Sequence, residues 1–479
     1  MKTNHCGSRV FARLFFLLWG VLLLSGCQGG VVREDALSPI SFQESRGEAR
    51  LSVFLRLKEP EGPLLWMKIS NLEIQSANGW LPLGVSRQEI ESLDIRTNGQ
   101  LLAGRGGVPS GRYHGIRFTV EQAALAREND KVFLALDNPV VEISFPAELT
   151  LAKGDSTSLF LTWDTAGSML GTANLSPWMT VAQQRIPLAT DLAYVSCPEL
   201  DTIYVIRTDN NMVCGSIGIS GKPTTIVANA AQNRLFVLAR QDSAVKILEL
   251  TSNRQIDQVK IPLSVKATHM TVSPDGMSAY VIDETGNNLL RLDLQTGIVA
   301  GQLRIGSRPK FILYIEELNL VAVSCAYAQK IYLLDAISLA IVNTIDTAGT
   351  PDGLLMRDNY LYVAESSSNS VSVFALPGGG KSRLNVGVQP RRLAFGNSHI
   401  YIANYGEGTV SVLRPGQLSV SRAIRVGGMP FEMGVSTDRQ WLYVGDAQKG
   451  GVTVIDLSVN RIVSFIELGA VPDSFIVVD

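Results

Sequence analysis

The chain has 479 residues, of which 46% are hydrophobic and 18% charged, and its formal net charge is −2. That length exceeds one ordinary core, and the composition excludes a disordered chain. A charge this close to neutral gives no electrostatic reason to expect nucleic acid as a partner.

The first element is an export signal. Lys2, Arg9 and Arg13 precede an apolar run, Leu14–Leu24, that is too short for the roughly 20 residues a membrane-spanning helix needs. The run ends in Leu24-Ser25-Gly26-Cys27, which resembles the lipobox of bacterial lipoproteins. The resemblance implies removal of residues 1–26, which lowers the net charge from −2 to −5. It also implies acylation of Cys27 by chains such as palmitate, and a membrane partner reached through that anchor. Gln28, being other than Asp, fits the outer-membrane members of that class, so the expected location is the cell envelope. Residues 27–47 lack periodicity and are predicted to form a lipidated tether spanning roughly 25 Å if flexible.

Residues 48–185 read as β structure throughout. Leu51–Leu57, Met67–Ile74 and Tyr113–Val120 alternate at the strand period, and Asn78-Gly79, Asn98-Gly99 and Pro109-Ser110-Gly111 supply the breaks. Seven or so short strands with no helix predict a β-sandwich of Greek-key type. The order Met67–Ile74, Gly79-Trp80, Gly111–Val120 and Leu161–Asp164 is similar to an uncharacterised sandwich domain found at the front of bacterial lipoproteins.

From residue 190 to 479 one pattern recurs at about 40-residue intervals. Its marker is a dipeptide: Tyr194-Val195, Phe236-Val237, Tyr280-Val281, Ala322-Val323, Tyr362-Val363, Tyr401-Ile402 and Tyr443-Val444. Short strands and Gly/Pro/Asn/Asp turns at this period predict a seven-bladed β-propeller. Gly-x-x-Pro connections, with small length changes, join successive units at Pro223, Pro309, Pro351, Pro390, Pro430 and Pro472. The first unit lacks its own innermost strand, so Ser474–Asp479 is predicted to complete it and remove two open edges. The units resemble YVTN-family repeats, most nearly in Tyr401-Ile402-Ala403-Asn404, and Ala322 departs furthest from that pattern.

Motifs for catalysis are missing. There is no Gly-x-Ser-x-Gly elbow, P-loop, His-Glu-x-x-His or EF-hand loop. His114, His269 and His399 lie on separated strands, and Cys197, Cys214 and Cys325 read as buried, inert thiols. No cofactor or metal is therefore expected. Asp352, Glu432 and Asp473 follow the connections of three blades; together they would suit a cation, although solvation of the rim is the plainer reading. The same ring of connections carries Lys222, Lys266, Arg308, Lys310, Arg391 and Arg392, and Tyr327 and Tyr405 sit in neighbouring loops. Scattered solvated charge is the plainer reading of these cations; gathered around one opening they predict binding or scaffolding at the cell envelope, with an acidic protein or polysaccharide as partner. The alternative is a hydrolase of the propeller lactonase kind.

Overall fold

The computed structural model describes residues 47–127, 130–187, 191–262, 264–376 and 379–478. The export signal, Cys27 and the tether as far as residue 46 lie outside the described residues. Strands dominate, and the one α-helix among the described residues is Ser92–Asn98.

Residues 49–183 form two facing sheets of thirteen strands in all, more than the seven expected, together with that helix. The extra strands are mostly of two to four residues, too short to show a period in sequence. The helix is held by burial of Ile95 and stops at Gly99, whose φ of 78° suits glycine. One sheet has the order Trp178–Gln183, Ser156–Asp164, Ala49–Leu57, Leu101–Val108, Gly84–Val85. Its central strand pairs in parallel with Ser156–Asp164 and antiparallel with Leu101–Val108. The other sheet is built on the long strands Leu65–Ser76 and Gly111–Arg127.

Strand alternation sends Leu51, Val53 and Leu55 into the core between these sheets and Phe54 to the opposite face. Phe54 is nevertheless fully buried. With Leu102 and Phe160 it packs on Val195, Tyr204, Ile206 and Val213 of the C-terminal region, and on Tyr443, Val454 and Phe475. Burial of each of these side chains contributes roughly 1.5–3 kcal/mol. A polar seam flanks the apolar contact. Ser52 meets the Tyr204 hydroxyl at 2.8 Å, and Ser158 meets Ser216 at 3.0 Å. The Gln184 amide accepts from the Ser158 and Ser216 backbone N–H groups and donates to the Ser216 carbonyl, so it stands in for a missing stretch of ladder.

The remainder consists of seven four-stranded antiparallel sheets among the described residues. Six begin with Pro223–Asn229, Ala267–Val272, Pro309–Ile315, Pro351–Arg357, Pro390–Gly396 and Pro430–Ser436. The first sheet, made of Leu192–Cys197, Thr202–Arg207 and Met212–Gly218, is completed by Ser474–Val478, which pairs antiparallel with Leu192–Cys197. Ser474–Val478 also lies beside Pro223–Asn229 and Pro430–Ser436, so the innermost strands neighbour one another in a closed cycle. The two ends of the repeat region share one sheet.

The aromatic residues of the repeat act as rivets between neighbouring sheets. Tyr194 donates to the Asn253 side chain, Tyr401 to Asn460, and Tyr443 to Asn211 at 2.6 Å. Each of these asparagines sits at positive φ in the turn before the outermost strand of the next sheet. Asparagine tolerates that conformation, and its amide oxygen satisfies a buried hydroxyl. Tyr280 uses the Ala336 carbonyl instead.

Candidate functional site

The sheet-to-sheet connections emerge on one face, and their backbone is latched in a recurring way. Lys222, Arg308 and Gln389, each just before a proline, all have positive φ. Their N–H groups donate to Asp201, Asn287 and Asn369 respectively, each in the turn between the second and third strands of the sheet just left. A conformation that ordinarily costs about 1–2 kcal/mol is thereby held.

Glu284 is the focus of the face. Its Oε1 accepts from Arg308 Nε and Lys310 Nζ, both at 2.7 Å, and its Oε2 from Lys266 Nζ at 2.9 Å. Burial opposes ionisation of this carboxyl, but hydrogen bonds from Lys310, Lys266 and Arg308 together outweigh burial and hold it down to about 2. Three cations therefore share one carboxylate. Arg308 also lies 4.7 Å from the Tyr327 ring centre and bonds the Tyr327 hydroxyl. Arg391 stacks 4.0 Å over Tyr405 and 5.7 Å from Phe431.

Below this rim lies a cavity of ≈ 140 Å³ lined by Arg240, His269, Glu284, Lys310, Asp352, Arg391, Arg392, Phe431 and Asp473, with Thr225 and Thr268. Its floor is an ion triad. Arg392, 8% exposed, donates to Asp352 at 2.6 Å and to Glu432 at 3.0 Å, between the rings of Phe311 and Phe431. Burial pushes the Glu432 carboxyl up, and Arg392 pulls it back. Burial likewise raises Asp473, against Arg240 and Arg392. His269 is driven down to about 3 by burial and by Arg392, so its ring is neutral at ordinary pH. The ring lies 4.3 Å from Phe311, and its Nδ1 is buried without a hydrogen-bond partner.

No protein-family model and no curated protein sequence matches the chain. Solved structures do match. One is a functionally unknown protein from Desulfotomaculum acetoxidans, 13% identical with a TM-score of 0.55, covering 60% of this chain and 99% of that one. Another is a putative 6-phosphogluconolactonase from Bacteroides fragilis, 10% identical with a TM-score of 0.52, covering 60% and 98%. The fold is of the β-propeller type. At these identities the likeness extends to the fold alone.

The propeller gathers some of the sequence candidates and separates others. Lys266, Arg308 and Lys310 converge, and Arg391 joins them across the cavity. Lys222 turns aside to Glu199 at 3.3 Å. Arg392 lies buried in the cavity and off the exposed rim, because strand alternation points Arg391 and Arg392 in different directions. Tyr327 and Tyr405 carry arginines on their faces and do not line the cavity. Asp352 and Glu432, considered for a cation, are committed to Arg392, and among the described residues no group of His, Cys, Asp and Glu is arranged to hold a metal. His114 is exposed beside Glu148, and His399 bonds the Asn397 carbonyl.

The residue that sequence reading missed is Glu284. It follows Asp283, whose carboxylate accepts from the backbone of Val265, Thr285 and Gly286. Asp446 plays the same part for Met429, Gln448 and Lys449. Where the repeat motif closes on aspartate, at 283 and 446, that residue is thus a structural turn cap, and the acid one step beyond Asp283 is left for another task. The three cysteines are free and buried; burial pushes Cys197 and Cys325 up to about 12 and Cys214 to about 11, which leaves their thiols protonated.

Proposed function

We propose that this protein is a lipid-anchored binding module of the bacterial cell envelope. In this reading residues 1–26 are a signal, Cys27 carries the lipid and residues 27–47 form a tether. A β-sandwich over 48–185 is followed by a closed, seven-bladed propeller of YVTN type over 190–479. The propeller recruits an acidic polysaccharide or protein through the face bearing the connections. The observation that carries the reading is Glu284: one carboxylate shared by Lys266, Arg308 and Lys310, with Arg391 stacked on Tyr405 across the same opening. Positive charge at that mouth exceeds what its own acids neutralise, and the flanking aromatic faces orient the guanidinium groups.

The hydrolase reading requires a free carboxylate or a titrating histidine in the cavity. Asp352 and Glu432 are bound to Arg392 and His269 stays neutral, so of the carboxyls lining the cavity only Asp473 is without an ion pair among the described residues. One unpaired carboxyl with no titrating partner beside it favours binding over catalysis.

Salt supplies the test. Binding of an acidic polysaccharide such as polygalacturonate should weaken as salt shortens the screening length from about 10 Å at 0.1 M to about 3 Å at 1 M. Arg391→Glu, which breaks no ion pair among the described residues, should weaken it without changing the melting temperature; adding Arg308→Glu should abolish it and also lower the melting temperature, because it sets a carboxylate against Glu284. Salt-independent binding, or lactone hydrolysis lost on Asp352→Asn, would replace this reading.

A further inference from the structure

A second cavity lies where the N-terminal sheets meet the first sheet of the propeller. Its volume is ≈ 530 Å³, within the range of small-molecule sites. Arg56, Arg185 and Arg207 line it, as do Gln183 and Asn210, and no Asp or Glu does.

Arg56 is the informative residue. Its guanidinium stacks 3.9 Å from the centre of the Phe160 ring and bonds the Gln100 side chain and the Val213 carbonyl. Those contacts fix its position but leave its charge uncompensated, since no carboxylate pairs with it among the described residues. Burial, with Arg207 adding repulsion, accordingly pushes its pKa down to about 10. A half-buried cation without a counter-ion carries a desolvation cost that a charge of opposite sign would offset. Arg207 is paired through Nε and Nη2 with both carboxylate oxygens of Asp209, while Arg185 is exposed and makes no ion pair among the described residues. Pro146, Val181 and Met212 give the same cavity apolar wall.

We propose that this junction is a binding site for a small organic anion, with a carboxylate or phosphate group at Arg56 and Arg185 and a short apolar body against Pro146, Val181 and Met212. With Nε and Nη2 held by Gln100 and Val213, Arg56 has its Nη1 hydrogens left to donate to an oxyanion, and Arg185 supplies a second cationic donor. Ligand contacts from Arg56 and Phe160 on one side and from Arg207 and Met212 on the other would tie the two regions together. The site is separate from the propeller mouth and shares no residue with it.

The test is isothermal titration of the purified protein with hexanoate and hexyl phosphate, with hexanol as the uncharged control. Saturable binding of an anion but not of hexanol is expected. Arg185→Ala, which breaks no side-chain hydrogen bond or ion pair among the described residues, should weaken it about tenfold, in line with loss of one charge-assisted bond. Arg56→Lys keeps the charge but loses the fixed Nη1 donors, and should weaken it at least as much; its melting curve shows whether the fold is intact. Absence of saturable binding up to about 10 mM, a dissociation constant already corresponding to negligible affinity, overturns the proposal. So does equal binding of hexanol, or binding unchanged in Arg185→Ala.

Discussion

Tyr443 and Phe475 stack with ring centres 4.9 Å apart and planes 16° from parallel. Tyr443 belongs to the seventh sheet and Phe475 to the strand that completes the first, so this contact closes the cycle of sheets. Phe475→Ala should cost about 3–5 kcal/mol, the usual range for removing a buried phenyl ring. Deleting Ser474 onward should be worse, because it also strips a hydrogen-bonded partner from Leu192–Cys197. Urea unfolding would show both, and a truncated protein that unfolds like the full chain would contradict the closure.

The Arg392 triad makes a sharper prediction. Arg392→Met leaves Asp352 and Glu432 facing each other without a cation, and should destabilise by about 3–5 kcal/mol. Removing the two acids as well, in Arg392→Met with Asp352→Leu and Glu432→Leu, should recover most of the loss, because no buried charge then lacks a partner. Denaturant midpoints of the two variants decide the matter; additive losses would show that the triad is not one electrostatic unit.

Glu284 predicts acid lability. Its folded pKa of about 2 lies below the ordinary 4.5, so it contributes stability that is complete above about pH 4.5 and is lost as pH falls toward 2. Glu432 and Asp473 are raised by burial and act in the opposite sense, since protonation relieves their cost. Glu284→Gln should therefore be less stable than the parent at pH 7, with a flatter stability curve between pH 4.5 and 2. Parallel curves would remove Glu284 from the explanation.

Anchoring is tested separately. Cells fed labelled palmitate should label the protein, and Cys27→Ala should abolish the label and release the protein from the membrane fraction. Two or more acyl chains give stable membrane attachment where one gives only marginal binding. A membrane-bound, labelled Cys27→Ala protein would place the anchor elsewhere.

Much of the architecture was legible because propeller repeats are local: strand, turn and aromatic marker fall within about 40 residues of one another. The site was less legible. Lys266, Arg308 and Lys310 were visible as a ring of cations, but Glu284, which gathers them, carries no motif. Arg392 looked like its neighbour Arg391, and only the direction each side chain takes separates a buried brace from a rim cation.

By itself the sequence determined the class of structure: an all-β chain with a repeated C-terminal unit, and a final strand left without partners of its own. These follow from short-range periodicity and turn chemistry, which need no knowledge of what lies across the molecule. Tertiary structure alone decided which charges meet. Residues 284 and 310 come together across two sheets, and residues 352, 392 and 432 across three. It also decided that Phe54, on a strand whose other face fills the N-terminal core, is buried against the propeller. Electrostatic pairing and packing between regions depend on distance in space, and a one-dimensional pattern carries none.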